Sequence, residues 1–182
     1  MELFFESLKY ILPIITILTF IKVVWEYIRS QKWKKSELLS KEVKEFFNDP
    51  KIKIVCQLLD WNSRKIDIGD KRILITDEFL IEALKTHNHK STFKYEEAYI
   101  RDLFDNFFDK MSFFNIYINN SLVDESEVIN YLSYYLNILS KPGRKSADLV
   151  KTINKYIEYY EFKNVSELIS RNKKVAIGHQ FS

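Results

Sequence analysis

Apolar side chains recur at two different intervals along this chain, and the intervals separate helices from one hairpin. Tyr99, Ile100, Leu103, Phe104, Phe107, Met111 and Phe114 are spaced by threes and fours, which predicts one long helix over about Tyr95 to Ile118. Between Lys65 and Ile75 the interval falls to two. Lys65-Ile66-Asp67-Ile68, Gly69-Asp70 and Arg72-Ile73-Leu74-Ile75 predict a β-hairpin closed by the Gly-Asp turn. Two strands alone are marginally stable, so this hairpin must pack on helices.

Terminal signals place the other helices. Asp49-Pro50 suits an N-cap followed by the first helical residue, and starts a helix over about Lys51 to Trp61. Thr76 or Asp77 starts one that runs to about Leu84, and a polar loop covers Lys85 to Thr92. Asp124 with Glu127 reads as a capping box for Glu125 to Leu139. Lys141-Pro142-Gly143 breaks the chain before a helix from Ser146 to about Tyr160, and Asn164 or Ser166 caps a short last one. From Arg171 onward no pattern remains, so residues 171–182 read as a flexible tail.

The N-terminal segment follows neither interval. From Tyr10 to Ile21 every residue is apolar except Thr16 and Thr19. Twelve helical residues reach only about 18 Å against a hydrocarbon thickness of about 30 Å, but Lys9 and Lys22 can snorkel to the two interfaces. Trp25, Tyr27 and Trp33 suit interfacial anchoring, and Lys22, Arg29, Lys32, Lys34 and Lys35 follow the apolar run, which orients the remainder toward the cytoplasm. This predicts a single-pass helix in an inner membrane, contacting lipid. The rival is a helix lying in the membrane plane. Glu2, Glu6, Lys9, Pro13, Thr16, Thr19, Lys22, Glu26 and Arg29 recur by threes and fours as a polar stripe, which a spanning helix could turn toward a partner helix instead. An ordinary buried helix is a third reading. Glu2 and Glu6, and the lack of a small-residue cleavage site, argue against a cleaved signal peptide.

Composition sharpens the class. Three Gly and three Pro in 182 residues leave few tight turns, and sheets and barrels need many. The expectation is a mainly α protein: residues 1–35 as membrane anchor and basic juxtamembrane segment, then residues 36–170 as a cytosolic bundle of about five to six helices with one short hairpin. The net charge of +3 lies wholly in residues 1–35, which hold six basic and three acidic side chains; the remainder balances 22 against 22. A balanced body argues against nucleic-acid binding, although Lys141, Arg144, Lys145 and Lys151 could form a local patch. The single cysteine, Cys56, lies in an apolar helical stretch and reads as a buried thiol.

Three stretches carry a family resemblance: Leu58-Leu59-Asp60-Trp61 with Arg64; Glu97 with Ile100-Arg101-Asp102, Phe104-Asp105 and Phe108-Asp109; and Tyr131-Leu132 with Tyr134-Tyr135. Over about Trp33 to Leu139 the chain resembles a group of uncharacterised bacterial proteins with an N-terminal membrane helix and an all-helical cytosolic domain. The resemblance implies that architecture and no reaction.

Candidate chemistry is sparse. There is no P-loop, dinucleotide fingerprint, zinc spacing or nucleophile elbow, and no cofactor is implied. His87-Asn88-His89 lies in the polar loop without a nearby third metal ligand. Asp102, Asp105 and Asp109 would share a helix ridge, which could hold Mg²⁺ for phosphoester hydrolysis or could be a solvated face. Asp60, Trp61, Arg64, Glu97 and Arg101 could form a buried ionic network docking the hairpin on the long helix, with an anion pocket at Arg64 and Arg101 as its functional version. Tyr131, Tyr134, Tyr135, Tyr156, Tyr159 and Tyr160 suit either core or an interface. The leading expectation is therefore a membrane-tethered module for protein interaction or regulation, partnered by another protein or a second copy, with metal-assisted phosphoester hydrolysis as the alternative.

Overall fold

The computed structural model describes the backbone from Glu2 to Gly178 and the side chains of residues 14–175. The protein is mainly helical, with seven helices among the described residues and one antiparallel hairpin. In order these are α1 (Glu2–Asn48), α2 (Pro50–Asp60), β1 (Ser63–Ile68), β2 (Lys71–Thr76), α3 (Asp77–Ala83), α4 (Tyr95–Asn119), α5 (Glu125–Ser140), α6 (Ala147–Tyr159) and α7 (Lys163–Gly178). By packing, the chain divides into two compact units, residues 1–38 and 39–182, with α1 running through the boundary.

In the first unit the described side chains form no core. Twelve large hydrophobic residues from Ile14 to Trp33 are 39% to 68% exposed. Ile21, Trp25 and Trp33 are among them; Lys22 pairs with Glu26 at 3.8 Å, and Arg29 lies over the Trp25 ring. Tyr10, with residues 2–13 generally, lies outside the described side chains. Among the described residues no helix is long and apolar enough to cross a membrane. The physical reason is length: the described apolar run from Ile14 meets Lys22 after eight residues, about 12 Å of helix.

The second unit is built on α4. Ile100, Phe104, Phe107, Phe108 and Met111 have no exposed surface, and the apolar faces of α2, α3 and α7 pack on this helix. Phe46 continues the aromatic core, with its ring 5.7 Å from Phe107 and 5.4 Å from Phe114. The start signals act as chemistry requires: the Asp49 carboxylate accepts from the Lys51 and Ile52 N–H groups, Thr76 Oγ1 from Phe79 N–H, and Ser146 Oγ from Leu149 N–H. The hairpin pairs Ile68 with Lys71 across Gly69-Asp70, and Gly69 adopts φ +58°, a left-handed value that glycine takes without strain. Ile66, Ile68 and Ile75 turn its buried face to the helices.

Two corners use the same device without glycine. At the end of α4 the Ser121 N–H donates to Ile118 O and the Leu122 N–H to Tyr117 O, with Ser121 at φ 56°. At the end of α6 the Glu161 and Phe162 N–H groups donate to Glu158 O and Ile157 O, with Glu161 at φ 57°. Both are Schellman endings, which close a helix through one left-handed residue.

The C-terminal segment from Arg171 is helical as far as Gly178. Where the sequence shows no pattern, α7 continues past Arg171. Arg171 pairs with Glu125 and Glu167, and Asn172 is buried with its amide on Asn137 Oδ1. Residues 179–182 lie outside the described residues.

Candidate functional site

The residues expected to form one ionic network separate into two clusters. The first surrounds Arg101 on α4, whose side chain is buried. Its Nη1 donates to Ala83 O at 3.0 Å and Lys85 O at 2.7 Å, and its Nη2 to the Tyr160 hydroxyl at 2.5 Å. Its guanidinium carbon lies 4.1 Å from the Phe93 ring centre, 4.9 Å from Tyr156 and 5.3 Å from Tyr160. Arg101 is thus a cation in an aromatic box that caps the C-terminal end of α3, where free carbonyls attract positive charge. Glu97, one turn earlier, is buried and binds elsewhere: it accepts from Lys90 Nζ at 2.8 Å and from the Lys94 N–H at 3.0 Å. Burial raises its pKa, but those two hydrogen bonds outweigh burial and hold the carboxyl below its ordinary value.

The acidic ridge is broken by the same cluster. Asp102 and Asp109 are exposed, but Asp105 is half-buried and accepts from the Tyr156 hydroxyl at 2.7 Å. Burial raises the Asp105 pKa, the opposite of what a metal ligand needs, and raises that of Tyr156 as well. Among the described residues no three or more His, Cys, Asp and Glu side chains come together as a metal site. His87 stacks edge-on to Phe93, and His89 Nδ1 lies 2.9 Å from Thr86 Oγ1.

The second cluster surrounds Asp60 at the end of α2. Its carboxylate accepts from the Tyr134 hydroxyl at 2.8 Å, and its carbonyl from Arg144 Nε at 3.2 Å. The Arg144 guanidinium carbon lies 5.6 Å from the Tyr134 ring centre. The Trp61 residue is 60% exposed, so its ring is no part of a buried network. Arg64 is half-buried on β1 opposite Ile75 and joins neither cluster, so no anion pocket forms between Arg64 and Arg101.

The buried charge that ties the hairpin to the helices is Lys145, which sequence reasoning had placed in a basic patch. Its Nζ donates to Asp77 Oδ1 at 2.6 Å and to Trp61 O at 2.7 Å. With Lys145 buried and Arg144 bound to Asp60, only Lys141 and Lys151 of that patch are exposed without such a role. The signal that could have found Lys145 is the Lys141–Lys145 break itself: a cation in a corner between two apolar helices is well placed to reach inward.

The tyrosines divide between both readings. Tyr156 is core; Tyr131, Tyr134 and Tyr159 are 53%, 42% and 40% exposed. With Arg144 beside Tyr134 and the exposed Trp61 next to Asp60 in the chain, the Asp60 cluster presents the residue types that anchor protein contacts. No protein-family model, curated protein or solved structure matches this chain.

Proposed function

We propose that this chain is a membrane-attached helical module whose folded body acts by contact with another protein and carries no catalysis. The observation behind the attachment is the run of twelve exposed large hydrophobic side chains between Ile14 and Trp33. Each is worth about 1.5–3 kcal/mol when removed from water, so an aqueous α1 is strongly disfavoured. Lipid suits this surface better than a protein groove. At 100° per residue Thr19, Lys22, Glu26 and Arg29 fall within an arc of about 80°, while the apolar side chains occupy more than half of the circumference. The basic flank through Lys32 and Lys34 suits anionic headgroups, and by the positive-inside bias it places the body in the cytoplasm. The contact role rests on the exposed Trp61, Tyr134 and Arg144 around Asp60.

Fractionation of the full chain tests the attachment. It is expected in the membrane pellet and to require detergent for release. Retention after alkaline carbonate washing indicates a spanning helix that includes Tyr10 to Pro13, and release indicates a helix lying in the interface. A chain recovered in the soluble fraction without detergent overturns the proposal.

A further inference from the structure

A cavity of about 150 Å³ lies at the C-terminal end of α3, lined by Leu84, Lys85, Thr86, His89, Thr152 and Lys155. Its lining residues include two lysines, one histidine and two threonines and no acidic residue, with the nearby Glu82 carboxylate bound to the Lys85 ammonium. One water needs roughly 10–15 Å³, so the space holds a multi-atom ligand. The end of a helix ordinarily repels anions, because its last carbonyls carry partial negative charge. Here Arg101 weakens that objection, since its Nη1 binds Ala83 O, the last carbonyl of α3, and Lys85 O just beyond it.

The donors are arranged with a polarity. Lys155 is exposed and has no ion pair among the described residues, so its charge is available. Lys85 pairs with Glu82 at the rim. The buried Thr86 hydroxyl holds the His89 ring through Nδ1. Thr152 donates its hydroxyl proton to Asp148 O at 2.8 Å, so its oxygen faces any ligand as an acceptor. One ammonium without an ion pair among the described residues, Lys155, beside one hydroxyl acceptor, Thr152, matches an oxyanion that keeps a proton, as hydrogen phosphate does and sulfate does not.

We propose that this cavity binds a phosphate oxyanion, either free or as the terminal phosphomonoester of a lipid headgroup. The site is separate from the Asp60 surface and does not depend on membrane attachment.

The test uses the full chain in an uncharged detergent, with chloride holding ionic strength constant. Inorganic phosphate should raise the melting temperature saturably, as a ligand bound only by the native state must, and sulfate should act more weakly. Lys155→Ala should weaken binding about tenfold or more, the loss expected for one charge-assisted contact, and Lys85→Ala less, because Glu82 already pairs with that ammonium. Lys53→Ala, an exposed lysine on α2, should leave it unchanged. Lys155 is a surface residue, so its variant is expected to fold even where Lys85→Ala does not. Titration with phosphatidic acid or phosphatidylserine in mixed micelles separates the sources. Phosphatidic acid acting below the concentration of free phosphate, and losing its effect in Lys155→Ala, assigns the headgroup. Phosphatidic acid no better than phosphatidylserine, with inorganic phosphate saturating, assigns the free anion. A response that saturates with neither, or that Lys155→Ala leaves intact, overturns the proposal.

Discussion

Lys145 buries its ammonium group completely and places it 2.6 Å from the carboxylate of Asp77, 68 residues earlier in the chain. A charge taken fully out of water is tolerable only with such a partner, and breaking a buried pair from one side costs about 3–5 kcal/mol. Lys145→Ala should lower the unfolding free energy by that amount, read as a lower denaturant midpoint at an unchanged slope. Lys145→Met combined with Asp77→Asn should be less damaging than Lys145→Ala alone, because no charge is left unpaired. A double-mutant cycle in urea measures the difference.

Arg101 is not replaceable by lysine. A lysine keeps the charge but loses the planar fork that reaches Ala83 O, Lys85 O and the Tyr160 hydroxyl together, and the flat face that stacks on Phe93. Arg101→Lys should cost about 2–3 kcal/mol. Hydrogen exchange should rise first over residues 84–92, the segment whose carbonyl it holds.

Acid should find Glu97 before it finds most of the core. Its folded pKa is lowered, so its ionised form contributes stability that is fully present above its unfolded value of about 4.3, and that is lost as pH falls through the folded value. Glu97→Gln should lower stability near neutrality and flatten its fall below about pH 4.3. Asp105 carries the opposite sign. Its pKa is raised by burial, so ionisation works against the fold as pH rises past about 3.9. Asp105→Asn keeps an acceptor for the Tyr156 hydroxyl and should be close to neutral at pH 7. Urea midpoints at about pH 3 and pH 7 check both.

Cys56 should be unreactive until the body opens. Burial pushes its thiol up to about 11, which leaves roughly one thiolate in a thousand at pH 8, and the residue is only 7% exposed. Alkylation of the native chain by iodoacetamide should be at least about a hundredfold slower than of the unfolded chain. Rapid native labelling would show that α2 is not packed as described.

Most helices were readable because their information is local. Asp49-Pro50 and Ser146 start α2 and α6 with partners two or three residues away, and the Phe stripe of α4 is a property of spacing alone. The second half of α7 has no such local mark. Its Arg171 and Asn172 are held by Glu125 and Asn137, 46 and 35 residues away, and nothing in residues 171–178 announces those contacts. The candidate site failed to appear for a related reason. Pairing by charge joins Arg101 to Glu97 and Asp105, whereas its hydrogen-bond partners are two carbonyl oxygens and a tyrosine, and carbonyls leave no trace in a sequence. The same rule placed Lys145 on a basic surface, because a buried lysine and an exposed one look alike until the fold is known.

The Schellman corners at Ser121 and Glu161 give this body an unspent margin. Each holds a residue with a Cβ in a backbone basin that costs L-residues roughly 1–2 kcal/mol and costs glycine far less. The helices already end there by backbone hydrogen bonding, so glycine would keep those bonds and lose only the exposed Glu161–Lys163 pair, which contributes little. Ser121→Gly and Glu161→Gly should together raise the melting temperature, even after the extra disorder that glycine lends to the unfolded chain. A sequence with three glycines has thus stopped short of its own optimum at two corners, and thermostability can be added there without touching the Arg101 box, the Asp60 surface or the cavity beside α3.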